Sequence, residues 1–269
     1  MRIRALSALI AVLGVAGIYW FLKTDGLLLI GLSVSAGSIF EYARLTFRKE
    51  VAVASIRWSF VTLCLALLLT TTLLERPIAA VAQVAVYFLT IVLFNVSRRT
   101  DLAPAVQFQG AGLMGFLYVG IFPALALRLL RLENGDIWFF GLLAIVFAGD
   151  TMAYVTGRFF GKRKLFSAVS PKKTVEGAIG GLFGSAIAGV VIAQYLPQHT
   201  TSATMIAAAI VTGGFAQIGD LHESLLKRVA DVKDSGSVMP GHGGILDRLD
   251  GVLFAAPVYY SVVSFLISR

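Results

Sequence analysis

The chain has 269 residues, of which 57% are hydrophobic and only 14% charged, and it carries a formal net charge of +8. That charge content is well under the ~25% of an ordinary soluble domain. With a mean hydropathy of +0.82, a soluble core of this length could not enclose the apolar surface, so the composition describes a polytopic membrane protein. The single cysteine, Cys64, lies inside the apolar run WSFVTLCLALLLTTTLL. It excludes a disulfide framework within the chain and reads as inert packing.

The opening residues MRIR, followed by ALSALIAVLGVAGIYWFL, have the outline of a signal peptide but no small-residue cleavage site. They read as a retained first helix. About nine apolar segments approach the ~20 residues that a helix needs to cross a bilayer. They run at 5–22, 26–43, 58–74, 78–96, 107–127, 137–156, 175–196, 202–219 and 251–267. Glu41, Pro104 and the pair Gly213–Gly214 interrupt the second, fifth and eighth patterns. Nothing alternates with period two over strand-like lengths, which speaks against a membrane β-barrel. The expected fold class is all-α.

Charge between the segments alternates. The second-to-third connection carries Arg44, Arg48, Lys49 and Arg57, and the fourth-to-fifth carries Arg98 and Arg99. The sixth-to-seventh carries Arg158, Lys162, Arg163, Lys164, Lys172 and Lys173. Connections between these either balance their charges, as Arg128 and Arg131 do with Glu133 and Asp136, or have none, as around His199. Basic connections face the cytoplasm, so the N-terminus is expected inside. The same distribution accounts for the net positive charge through the bilayer as partner, without nucleic acid. The most polar run of the chain, residues 220–250, falls on the same cytoplasmic side as the basic connection at 157–174.

Asp150 follows thirteen uncharged residues, IWFFGLLAIVFAG. It marks either the water-facing end of its helix or an intramembrane carboxylate, which is functional by default. In SPKKTVEGAIGGLFGSAIAG, residues 170–189, Ser170 and Thr174 suit helix caps and Pro171 a first turn, with Lys172 and Lys173 adding charge. That helix start would offer N–H groups to an anion, although the same lysines also serve as topology signals. Gly177, Gly181 and Ser185, and likewise Gly180 and Gly184, have the fourfold spacing of close helix packing in lipid. Further on, Asp220, Glu223 or Ser224, and Lys227 share one helical face, as do Asp247 and Asp250, and PGHGG between them has the composition of a tight turn. A solvated loop needs no such arrangement. Oxygen-only donors suit Mg²⁺, and zinc fits poorly because His222 and His242 lack partners at ligand spacing. Acids for magnesium and lysines for phosphate on one membrane face point to phosphoryl or nucleotidyl transfer.

These residues resemble a known family. SLLKR at 224–228, Lys233 with Asp234, and PGHGGILDRLD at 240–250 resemble the pattern of the phosphatidate cytidylyltransferase (CDP-diacylglycerol synthase) family, with Met239 departing from the Leu, Ile or Phe usual there. GDTMAY at 149–154 and SPKKTVEG at 170–177 also look like the family. The resemblance divides the chain into residues 1–100, helices without a recognisable motif, and 101–269, helices carrying the motifs.

What the resemblance implies is an integral cytoplasmic-membrane enzyme that condenses CTP with phosphatidate to give CDP-diacylglycerol and pyrophosphate. It implies Mg²⁺, alone or with a second cation, on Asp220 and Asp247, with Asp250 and Asp150 as further ligands. Lys227 and Arg228 would act beside the reacting phosphates, and His242 would donate a hydrogen bond near the leaving group. Ser170, Lys172, Lys173, Thr174, Glu176, Lys233 and Arg248 would bind CTP and its phosphates. A homodimer is compatible with all of this. The rival readings are a CTP-dependent lipid-alcohol kinase and, in another class, an ion-coupled transporter. A CDP-alcohol phosphotransferase fits worse, because VLFAAPV follows Asp250 and Gly251 where that family has its own motif.

Overall fold

The computed structural model describes residues 2–47, 54–74, 82–86, 88–89, 92, 102–196, 202–236 and 243–268. In chain order these form α1 (Arg2–Thr46), α2 (Ala54–Leu73) and α3 (Leu102–Gly115). A π-helical stretch (Phe116–Ile121), α4 (Phe122–Arg128) and a 3-10 turn (Leu129–Arg131) continue α3. Then come α5 (Gly135–Phe160), a hairpin of β1 (Lys164–Phe166) and β2 (Ser170–Thr174), α6 (Val175–Ala193), α7 (Ser202–Val229) and α8 (Leu246–Ile267).

The architecture is an all-α polytopic one, with seven spans long and apolar enough to cross a membrane among the described residues. The expectation of nine differs for two reasons. The first two segments meet as expected at a kink, Lys23 (φ 51°, ψ −135°), and are counted together as the single span of α1. The fourth segment, 78–96, lies largely outside the described residues. Glu41 and Gly213–Gly214 do not interrupt anything; α1 and α7 run straight through them. α7 also continues to Val229 rather than stopping at 219, so Asp220, Glu223 and Lys227 are helical.

The chain divides into two compact units. Unit 1 comprises Met1–Leu127 and Ala230–Asp247. Its core is aromatic: Tyr42 lies beside Phe60 and Tyr118, and Phe60 beside Phe47 and Phe116. The Tyr42 hydroxyl donates to the Ala111 carbonyl at 2.8 Å, giving this buried phenol the partner it needs. Cys64 is fully buried in this core, as expected of a packing residue.

Unit 2 comprises Arg128–Val229 and Arg248–Arg269. Here α6 is the hub, because its small residues let α5 and α7 approach closely. A Cβ added to Gly184 would come 2.5 Å from the Ala148 carbonyl of α5, and one on Gly189 would come 2.7 Å from Ala209 of α7. Ser185 Oγ donates to the Ile145 carbonyl at 3.1 Å. The fourfold small-residue pattern read from the sequence is this packed face. Its opposite face carries Ile179, Phe183, Ile187 and Val190, all exposed and therefore turned to lipid.

Candidate active site

Unit 2 gathers acids from three helices. α5 supplies Asp150, α7 supplies Asp220, and α8 supplies Asp250, while β2 contributes Lys173. The Lys173 ammonium pairs with Asp220 Oδ2 at 2.5 Å, and the two side chains keep 26% and 35% of their exposure. Asp150 and Asp250 both interact electrostatically with Asp220 and Lys173, and with each other. Asp250 reaches this point because its backbone carbonyl packs on Gly219, where any side chain would collide with it. Its Oδ1 accepts from the Gly251 N–H at 2.8 Å. Asp150 does not mark the end of its helix, since α5 continues to Phe160. Three carboxylates against one ammonium leave an excess of negative charge. Among the described residues, no three His, Cys, Asp or Glu side chains form a metal-holding group on their own.

The basic connection expected as a loop is instead a short antiparallel hairpin. Ser170, Pro171, Lys172 and Lys173 therefore lie on β2, not at a helix start, and only Thr174 caps: its Oγ1 accepts from Gly177 N at 3.1 Å. Period-two alternation puts Lys172 and Lys173 on opposite faces of β2, so Lys173 turns to Asp220 while Lys172 is exposed. Glu176, in the first turn of α6, accepts from the backbone N–H of Lys162 at 3.0 Å and of Arg163 at 3.2 Å. Glu176 thus holds the hairpin's base to the helix.

Farther along α7, Lys227 forms an ion pair with Glu223 one turn earlier. Glu223 is 1% exposed, so a buried carboxylate fixes this lysine. Arg228 Nε donates to the Val169 carbonyl in the hairpin turn at 3.4 Å. His222 packs its ring against Phe254 with centroids 5.1 Å apart.

Unit 1 holds the remaining candidates. Asp247 Oδ2 accepts from Ser235 N at 2.9 Å and from Gly244 N at 2.7 Å, and competes with Glu41 for the single Ser235 hydroxyl proton. Gly243 between them takes φ +83°, a backbone that favours glycine. The sequence reading missed Glu41, which is 4% exposed. Its two oxygens accept from Ile245 N at 3.0 Å, Leu246 N at 2.9 Å and Ser235 Oγ at 3.0 Å. An acid from α1 therefore ties down the start of α8 and the segment before it. The available signal was a lone carboxylate inside an apolar segment, which is a functional marker by default. Lys233 and Arg248 are exposed, and His242 lies outside the described residues.

Acids from three helices and a strand lysine thus come together in a polytopic helical protein. The chain belongs to the Cytidylyltransferase family, whose profile matches residues 2–266. It is 48% identical over 124 residues to the phosphatidate cytidylyltransferase of Synechocystis sp., covering 46% of this chain and 42% of that protein. It is 45% identical over 114 residues to that of Staphylococcus epidermidis, covering 42% and 44%. It is 42% identical over 146 residues to that of Staphylococcus saprophyticus, covering 54% and 55%. The matched stretch spans about half the length of these curated relatives.

Proposed function

We propose that the chain transfers a cytidylyl group from CTP to phosphatidate, giving CDP-diacylglycerol and pyrophosphate, at the cytoplasmic face of a membrane. The carrying observation is the convergence of Asp150, Asp220, Asp250 and Lys173 in a chain matched by the cytidylyltransferase profile over residues 2–266. The names of the relatives support the same substrates.

The chemistry follows from charge. An oxygen of phosphatidate's phosphate attacks the α-phosphorus of CTP; a P–O–P bond forms, the α–β bond breaks, and pyrophosphate leaves with the electron pair. A phosphate monoester with a second pKa near 6 is already largely dianionic at neutral pH, so no strong general base is needed. The obstacle is repulsion, about 4 kcal/mol for two unit charges ~4 Å apart at an effective dielectric of 20. Lys173, brought in on β2, offers a cation to the phosphates when its pairing with Asp220 is exchanged for them. Lys227, fixed by Glu223, and Arg228, fixed on Val169, are further cations at the same end of α7.

Magnesium fits the donors: they are carboxylates only, their charge exceeds that of Lys173, and Mg²⁺ needs only one or two carboxylates beside substrate phosphates and water. Asp220 would hold it, with Asp150 and Asp250. When bound, the ion would neutralise phosphate charge. Purified protein given CTP labelled at either the α- or the γ-phosphate, with phosphatidate, tests the proposal. Label from the α-position should enter lipid and γ-label should leave as pyrophosphate. Transfer of γ-label to lipid would mean a kinase instead.

A further inference from the structure

Away from the acids, within unit 1, the end of α1 and the start of α2 enclose a groove of about 270 Å³. It is lined by Phe40, Ala43, Arg44, Arg57, Trp58 and Val61. Two guanidinium groups from separate helices thus share one groove. Neither forms an ion pair with an acid among the described residues. Phe40 and Trp58 meet edge to face at 6.2 Å and are 41% and 53% exposed.

The groove's position in the membrane limits its occupant. The membrane span of α1 ends at Thr46 and that of α2 begins at Ile56, so both arginines stand at the ends of apolar spans. That is the headgroup level, where aromatic side chains also collect. A solitary interfacial arginine extends singly into water. Here two like charges are held beside one apolar-walled space, an arrangement that an anion between them relieves. Sites that enclose a whole small molecule run roughly 300–1,000 Å³. This groove is smaller, and suits a headgroup whose chains remain outside, along Phe40 and Trp58. Guanidinium groups match phosphate oxygens in fork geometry.

We propose that this groove binds the phosphate of an anionic glycerophospholipid drawn from the surrounding bilayer. The proposal does not depend on the transfer reaction, and its test uses no nucleotide. The full chain is reconstituted in phosphatidylcholine vesicles containing a minority of chain-brominated phosphatidylglycerol or, in parallel, chain-brominated phosphatidylcholine. Quenching of Trp58 is taken as the difference between the native protein and Trp58→Phe. The anionic probe should quench Trp58 more strongly at equal fraction. Unbrominated phosphatidylglycerol should reverse the excess, while inorganic phosphate should not. Arg44→Gln and Arg57→Gln should each lower the preference about fivefold, with quenching by brominated phosphatidylcholine unchanged as the control for folding. Equal quenching by the two probes would overturn the proposal. So would a preference that survives in the double variant, or one that inorganic phosphate abolishes. If the variants fail to fold, competition by unbrominated lipid on the native protein still decides.

Discussion

Replacing Glu41 should damage the protein more than any other single polar substitution in α1. Its carboxylate accepts three hydrogen bonds, from Ile245 N, Leu246 N and Ser235 Oγ, at a site 4% exposed. Hydrogen bonds to a charged group contribute about 1.5–3 kcal/mol each, and a buried donor left without a partner costs about 1–3 kcal/mol. Simple addition overshoots because neighbouring bonds are not independent. Glu41→Ala should therefore cost about 3–5 kcal/mol, a large part of the ~5–15 kcal/mol that holds a typical fold. Glu41→Gln keeps one acceptor oxygen but turns an amide NH₂ toward donors, and should cost about 1.5–3 kcal/mol. At roughly 2–4 °C per kcal/mol for a chain of this size, the glutamine variant should melt about 3–12 °C lower. The measurement is thermal unfolding of purified protein in detergent, with protease sensitivity of residues 230–247 as a local readout. An alanine variant that melts with the native protein and protects this segment equally well would refute the bonding argument.

Other expectations bear on the acids and the fold. Asp220→Asn should lower cytidylyl transfer on the order of a hundredfold or more while leaving the melting temperature within the usual range of surface changes, as purified-protein assays would show. Lys173→Ala should impair transfer more than Lys172→Ala, because only Lys173 pairs with Asp220; equal kinetics for the two would remove Lys173 from the site. Gly184→Ala should destabilise by about 1–3 kcal/mol in the same melting assay, since its methyl must fit against the Ala148 carbonyl. Sidedness can be read with single cysteines at Glu133 and Lys164 in a Cys64→Ser background. These exposed positions flank α5, whose 26 residues span ~39 Å. An impermeant thiol reagent on intact cells should modify the first and reach the second only after permeabilisation. The reverse would place the acids away from cytosolic CTP.

The helices were legible because a run of about twenty apolar residues has few alternatives in lipid. The break at Lys23 was legible too, since Lys23 and Asp25 separate two apolar segments. The small-residue face of α6 could be read because its fourfold spacing has one geometric meaning. The hairpin at 164–174 could not. KLF and SPKKT are too short to show alternation, and what fixes them is Glu176, a partner on another element. Lys227 and Glu223 had the spacing of an ion pair, but burial of the glutamate depends on packing that spacing does not encode. Glu41 was misread as a flaw in a membrane segment because its three partners lie 194 to 205 residues later in the chain.

That separation has a consequence for how the protein is made. Chains emerge from the N-terminus and their parts associate as they appear. α1 enters the membrane carrying Glu41 long before Ser235, Ile245 and Leu246 have been synthesised. Until then the acid lies near the end of an apolar helix without the donors that will surround it, at a cost below the ~2.5–3.5 kcal/mol of a carboxylate at a helix centre. The last third of the chain must therefore return to complete the first helix. A ribosome stalled before residue 235 would leave most of the chain inserted but unfinished, with Glu41 still lacking the donors that complete its site.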